Sequence, residues 1–328
     1  MTERTLQGPP RAVFMGTPEL AATVLRRLLQ PDSPVRVVAV VTQPDKPVGR
    51  RQVLTPPPVK ALAQEHGLAV LQPVSLRRPA AQEAIRRLAP DLGIVAAYGK
   101  LLPPEVLAIP PYGYLNVHPS CLPRWRGPWP VGAAILAGDD ETGVSIMKLD
   151  EGMDTGPVLA RRREPIRPDD TTGTLEQRLA AIGAELLVEV IPPYLRGDLQ
   201  PEPQDDRAAT YSGLVRKEAG ALDWNRPAVQ LERQVRAMQP WPVAFTFWEG
   251  RRLNVLRARV LPASSGPAGP GPRATGEPGR VLAVDRAAAV VTGDGLLVLE
   301  EVQLEGRGPM PIQAFLNGHR TFIGSRLG

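Results

Sequence analysis

The sequence contains a single cysteine, Cys121, in 328 residues. One thiol cannot close an internal disulfide and leaves no CxxC pair for zinc, which excludes a disulfide scaffold and a structural zinc module. No run approaches the roughly 18 consecutive apolar residues of a membrane-spanning helix. Met1 to Arg11 also lacks the apolar centre of a signal peptide. These absences imply a soluble chain of the reducing cytoplasm, with no membrane partner and no bound metal. GxGxxG does not follow the first strand-like run, and neither GxxxxGK with Ser or Thr nor HExxH occurs, so a dinucleotide or nucleoside triphosphate is not indicated. Histidine is limited to His66, His118 and His319, and aromatic residues to 5%. The search for an imidazole base is therefore short.

Apolar residues make up 43% and charged residues 22% of the chain, the balance of a globular protein. At roughly 150 residues per domain the length suggests two domains. The 38 prolines and 31 glycines imply many turns, short of a low-complexity composition. Charge is unevenly placed. Residues 1–206 carry 23 Lys and Arg against 24 Asp and Glu, whereas residues 207–328 carry 16 against 10, a net of +6. Two readings stand: a C-terminal part that attracts a polyanion, or ordinary solvated arginines.

Short apolar runs at Arg11–Gly16, Val35–Thr42, Leu68–Gln72 and Leu92–Ala97 alternate with helical stretches at Val59–His66 and Ala80–Leu88. Thr17, Pro18 and Glu19 read as N-cap, first-turn proline and dipole-compensating carboxylate. Such alternation implies right-handed crossovers and an open parallel α/β sheet. Between Thr42 and Lys60 lies a proline-rich segment carrying Lys46, Arg50, Arg51 and Lys60, read as an irregular loop at the strand edge where open sheets place ligands. It is either a basic flap beside an active site or an idle surface loop. Helical periodicity returns from Thr174 to Leu195. Gln200–Asp206 (QPEPQDD) then reads as a stiff polar linker. This gives a first domain over residues 1–199, a linker over 200–206 and a second domain over 207–328. In the last, a helix at Ala228–Ala237 and strands at Val243–Trp248, Arg252–Leu261, Arg280–Val284, Ala287–Thr292 and Gly295–Leu304 suggest a small β-barrel. Residues 263–278 read as a flexible excursion.

The chemistry concentrates in Tyr114–Gly127, YLNVHPSCLPRWRG. Asn116 and His118 are two apart on an extended run, so an amide and an imidazole project from one face. Downstream, Gly143–Leu149 reads as another strand leading into EGMDTGP, where Asp154 could orient that imidazole or relay its proton. His66 precedes Gly67 at a helix end, where it complements the dipole. His319, in NGHR, reads as a surface or RNA-facing residue. Spacing leaves His118 either catalytic or a hydrogen-bonded structural residue, and Asp154 either catalytic or part of an ordinary Asp-Thr-Gly turn. Cys121 is either a thiol nucleophile paired with His118 or a small buried hydrophobe.

Asn116–Gly127 resembles the NVHxSLLPRYRG motif of the folate-dependent formyltransferases, and Glu141–Met147 with Met153–Gly156 resembles their ETGVTIM and LDTG segments. Thr42–Pro47, Pro58–Lys60, Asp223-Trp224 and Gln239–Pro242 resemble the branch of that family acting on methionyl-tRNA. The resemblance runs from about Arg11 to the C-terminus. It differs at Cys121, where the family has leucine, at Gly127–Pro130, and in the flap at Lys46 and Gln52-Val53. It implies a Rossmann-like formyltransferase domain followed by a smaller OB-like β-barrel that helps hold tRNA. It further implies transfer of formyl from 10-formyltetrahydrofolate to methionine esterified to initiator tRNA. Asn116, His118 and Asp154 fall on the family's catalytic triad, and Ser120, Cys121, Leu122 and Pro123 on its folate-contacting loop. Lys46, Arg50 and Arg51 are expected to grip the tRNA near the amino acid; no obligate protein partner is implied. Two rivals differ in chemistry: formyl transfer to an amino sugar, glycinamide ribotide or water, and an inactive half that only scaffolds RNA.

Overall fold

Apolar β-branched segments and amphipathic helices alternate through the first half of the chain, with α1 packing on β1 and β6 and α2 on β2 and β5. The computed structural model describes residues 8–49, 52–261, 276–285 and 287–328. Two units emerge: residues 1–130, 141–165 and 176–213, and residues 131–140, 166–175 and 214–328.

In the first unit β1 (Arg11–Gly16) leads to α1 (Glu19–Leu28) and β2 (Arg36–Val41). A ribbon of β3 (Lys46–Val48) and β4 (Val53–Thr55) precedes α2 (Pro58–Glu65), β5 (Ala69–Leu71), α3 (Pro79–Arg87) and β6 (Leu92–Ala96). After α4 (Pro104–Leu107) come β7 (Tyr114–His118), β8 (Glu141–Lys148), β9 (Val158–Pro165) and most of α6 (Thr172–Arg196), while α5 (Pro130–Ala137), between β7 and β8 in the chain, falls almost wholly in the second unit. The strand order is β5-β2-β1-β6-β7-β8-β9. Pairing is parallel from β5 through β7 and antiparallel from β7 to β8 and from β8 to β9. The expected α/β architecture is present, and the two final strands make the sheet mixed. β9 escaped the sequence reading because its middle holds three consecutive arginines, Arg161 and Arg163 exposed and Arg162 half-buried, the pattern of a charged edge strand.

Two local expectations change and a third stands. Pro18, not Thr17, caps α1, and the Thr17 hydroxyl donates to the Tyr98 carbonyl at 3.3 Å. The segment 42–60 is not irregular throughout: Lys46 pairs with Thr55, Pro47 with Leu54 and Val48 with Val53. Proline is tolerated in such a ribbon because each strand has an unpaired edge. His66 ends α2 as expected, its Nδ1 3.0 Å from the Leu62 carbonyl.

The second unit is an antiparallel sheet built from β10 (Ala244–Trp248), β11 (Arg251–Leu261), β12 (Val281–Val284), β13 (Ala287–Val291), β14 (Leu296–Leu304) and β15 (Met310–Pro311). Its path is β10-β11-β14-β13-β12, with β15 beside β14. Two helices accompany it, α7 (Ala228–Ala237) and α8 (Ile312–Gly318). His319 does not stand out as an RNA-facing residue. Its ring stacks on Phe315 at 4.2 Å, its Nδ1 lies 2.8 Å from the Phe315 carbonyl, and Trp248 meets it edge-on. Most of the expected excursion at 263–278 lies outside the described residues. Among the described residues no helix is long and apolar enough to cross a membrane.

Candidate active site

All five residues of β7 are buried, including two with polar side chains, Asn116 and His118, which are 8% and 5% exposed. A parallel strand covered on both faces normally holds apolar residues alone, so an amide and an imidazole at its C-terminal end carry a desolvation cost that the fold itself does not require. That end is where open α/β sheets present ligand sites.

The imidazole has two neighbours. His118 Nε2 lies 3.0 Å from the Trp125 carbonyl, and Nδ1 lies 3.7 Å from Asp154 Oδ2. A carbonyl only accepts, so Nε2 carries a hydrogen and Nδ1 is the nitrogen free to exchange one. The Nδ1 distance to the carboxylate exceeds a hydrogen bond and falls within ion-pair range, so Asp154 stabilises the ring most when Nδ1 is protonated. Asn116, on the same face, has no side-chain hydrogen bond to any described residue. The structure thus brings Asp154 within ion-pair range of His118, with Asn116 two residues earlier on the same strand.

Asp154 is held in an unusual way. Its φ of +55° lies in the left-handed region, as does that of Trp125 at +59°. Such residues persist where surrounding bonds over-determine them. Asp154 Oδ2 accepts from the Gly127 amide at 2.8 Å, joining the 150–156 turn to the loop after β7. Gly127 is obligatory there: its φ is +109°, and a Cβ would meet the Ser212 carbonyl oxygen at 2.4 Å. Within the turn, Asp150 accepts from the Gly152 amide at 3.0 Å and the Thr155 hydroxyl at 2.7 Å.

The loop Ser120–Pro123 is tied down from inside. The Ser120 hydroxyl donates to the Arg124 carbonyl at 2.6 Å, and Ser145 on β8 accepts from the Leu122 amide and donates to the Ser120 carbonyl. Leu122 packs with Met147 and Val158. The Cys121 Sγ is 3.4 Å from the Thr142 carbonyl, and burial pushes its thiol pKa up. A half-buried thiol that donates to a carbonyl, its pKa raised by burial, is the inert reading of Cys121, not the nucleophilic one. The Pro123 carbonyl accepts from the Thr210 amide at 3.3 Å.

Sequence reasoning missed the residues that brace this loop. Arg126, 1% exposed, donates through Nε to Gln204 at 3.1 Å, through Nη2 to Asp206 at 2.7 Å and through Nη1 to Tyr211 at 3.3 Å. Burial alone would lower its pKa; the Asp206 and Tyr211 bonds outweigh it, and the net shift is upward. Trp125 and Trp129 donate their amides to Thr210 Oγ1 and Ser212 Oγ. The segment 200–206, expected as a linker, pairs with β9 through Glu202 and Val158 and bonds to the site through Gln204. The signal within reach was the pair of arginines in LPRWRG, one of which the apolar surroundings were bound to enclose.

The flap has its own anchor. Lys60 Nζ lies 2.7 Å from Asp45 Oδ2, Gln72 donates to Asp45 Oδ1 at 2.7 Å, and Gln72 also donates to the Gln43 carbonyl. Lys46 Nζ donates to Gln43 Oε1 at 2.9 Å. Arg50 and Arg51 lie outside the described residues.

Residues 11–191 match the family model described as formyl transferase, and residues 214–320 the formyl transferase C-terminal domain. A methionyl-tRNA formyltransferase of Roseiflexus castenholzii is 48% identical, the match covering 97% of this chain and 99% of the relative. One of Geobacter sulfurreducens is 46% identical, covering 97% and 96%. Among solved structures, HypX from Aquifex aeolicus in complex with tetrahydrofolic acid shares the fold at 20% identity and a TM-score of 0.62. That match covers 96% of this chain and 48% of HypX. With both family models matched in chain order and near-identical length to such relatives, this chain belongs to the formyl transferase family, among the methionyl-tRNA formyltransferases.

Proposed function

We infer that the protein transfers the formyl group of 10-formyltetrahydrofolate to the α-amino group of methionine esterified to initiator tRNA, giving N-formylmethionyl-tRNA for translation initiation in the cytoplasm. The observation that carries this reading is the meeting of Asn116, His118 and Asp154 at the C-terminal end of β7 in a chain of this family.

The reaction forms a bond from the amino nitrogen to the formyl carbon and breaks the bond from that carbon to N10 of the folate. Attack puts negative charge on the formyl oxygen and positive charge on the incoming nitrogen. The uncommitted amide of Asn116 donates to the oxyanion. His118 Nδ1 takes the proton lost by the attacking nitrogen, and Asp154 stabilises the imidazolium that results. That ring offers the oxyanion a hydrogen bond from Nδ1 and, as the carbonyl re-forms and the carbon–N10 bond breaks, passes its one proton to the departing N10, so the proton count closes. The Nε2 bond to the Trp125 carbonyl holds the ring plane throughout. No metal takes part in this scheme.

The side chains of Ser120, Cys121 and Leu122 face inward, so folate contacts from Ser120–Pro123 come from the loop backbone, which suits a flat pterin in an apolar slot with few polar partners. On this reading residues 1–199 hold the chemistry, 200–206 connect, and 207–328, with a net charge of +6, meet phosphates. Lys46, Arg50 and Arg51 add cations on the flap. Charged initiator tRNA and folate are the partners; neither a membrane nor an obligate protein partner is needed.

Incubation with 10-formyltetrahydrofolate and methionyl initiator tRNA, beside uncharged and elongator tRNA, tests the whole assignment. Formyl should appear only on the charged initiator. Formyl on an amino sugar or glycinamide ribotide instead, or on no acceptor at all, would overturn it.

A further inference from the structure

Asp154 could be held in its left-handed conformation by its own turn alone, yet a residue some fifty positions away reaches its backbone. Gln204 Nε2 donates to the Asp154 carbonyl at 2.9 Å and to the Gly156 carbonyl at 2.6 Å. The other end of the same amide, Oε1, accepts from Arg126 Nε at 3.1 Å. These partners fix which way the amide points. Two carbonyls require the NH2 end, and a guanidinium requires the oxygen. Arg126 is in turn immobilised by burial, by Asp206 and by Tyr211, and it sits in the loop whose Gly127 amide binds the Asp154 carboxylate. Backbone and side chain of Asp154 are therefore referenced to the same short loop, one through Gln204 and one through Gly127.

We propose that Gln204 is a positioning residue for formyl transfer, clamping the Asp154–Gly156 turn so that the carboxylate faces His118 Nδ1. Gln204 does not touch the reacting atoms; it acts through Asp154, and the proposal rests on the role of Asp154 given above. The segment 200–206 is on this account part of the catalytic assembly as well as a connection. Three of its residues divide the work: the Glu202 backbone fixes the segment to β9, the Gln204 amide clamps the turn, and the Asp206 carboxylate pairs with Arg126. Gln204→Glu leaves the acceptor for Arg126 but sets a carboxylate oxygen against two carbonyl oxygens. Gln204→Met keeps the length and removes both donor and acceptor.

The test is a double-mutant cycle on the full-length protein, with kcat, KM for each substrate and the unfolding temperature read for every variant. Displacement of a catalytic group by about 1 Å costs on the order of 100-fold. Gln204→Glu and Gln204→Met should lower kcat about 10- to 100-fold, with both KM values within about twofold of wild type. In an Asp154→Ala background the same substitutions should change the residual rate by less than about twofold, because the group they position is gone. An equal fractional loss in both backgrounds would overturn the clamp, showing general damage to the fold. Undiminished kcat in Gln204→Met would overturn it as well. Wild-type turnover in Asp154→Ala alone would remove the role of Asp154 and the clamp together, a result distinguishable from the other two because it needs no change at position 204. Should Gln204→Glu fail to fold, the Gln204→Met pair completes the cycle.

Discussion

Two irregular, proline-rich stretches leave the C-terminal edge of the sheet, and they are held in opposite ways. The loop after β7 is fixed by buried polar groups whose partners lie across the unit: Ser120 and Ser145 are fully buried, and Arg126 is 1% exposed with each of its donor nitrogens bonded. The flap after β2 is a short ribbon with Val53 and Leu54 exposed by 59% and 65%, fastened at its base by Asp45, Lys60 and Gln72. The contrast follows from the tasks proposed for them. A group that must meet a forming tetrahedral carbon gains from a site whose every polar atom is fixed beforehand. A segment that meets a phosphate backbone gains from accessible cations and tolerates a looser hold.

The largest effect should come from removing the Asp154 carboxylate, which the rigid loop holds through its Gly127 amide. Asp154→Asn keeps the shape and withdraws the charge that stabilises the imidazolium, and a loss of about 100- to 10,000-fold in kcat is expected for the proton transfer it supports. Steady-state kinetics check this, and a loss confined to KM would erase the distinction between the two stretches.

Next is Arg126→Met. The variant keeps much of the buried stem but leaves Gln204 Oε1 without its donor. Because the Asp206 side chain is 81% exposed, its charge returns to water, so the cost stays below that of breaking a fully buried pair. About 1–3 kcal/mol is expected for the orphaned acceptor, read by denaturant unfolding, together with a fall in kcat. Unchanged stability would mean that this loop is held no more tightly than the flap.

Lys60→Met should do the converse. Freed from its base, the flap should raise KM for tRNA severalfold while KM for folate, kcat and unfolding temperature stay close to wild type. Equal damage to both substrates would make the flap a structural loop. Smallest is a titration. Gln72 and Lys60 hold the Asp45 carboxyl below its ordinary range. Its folded pKa therefore lies under the unfolded value of about 3.9. The anchor contributes above that value and is lost as pH falls through the depressed one. A carbon-13 titration of Asp45 with a midpoint at or above about 3.9 would contradict the anchor.

The same contrast explains what could be read in the sequence. Five of the six described strands of the second unit, all but β15, and α7 lie within a residue or two of the runs that announced them, because burial on one or both faces leaves a periodic trace. Asn116 and His118 were legible together because a two-residue spacing fixes a shared strand face. Asp154 was legible through its motif. Gln204 and Arg126 were not, since their bonds join positions 50 and 78 apart and leave no local pattern. The ribbon in the flap was hidden by its prolines, and β9 by its arginines. Cys121 was left open by spacing and resolved by the carbonyl it meets.

The most direct test of the central claim is Asn116→Ala. Its amide makes no side-chain hydrogen bond to any described residue and is aimed at the oxyanion on this account, so its loss should cost on the order of 100- to 1,000-fold in kcat. Affinity for 10-formyltetrahydrofolate should remain nearly intact. Formylation of methionyl initiator tRNA at the wild-type rate by that variant would contradict the account.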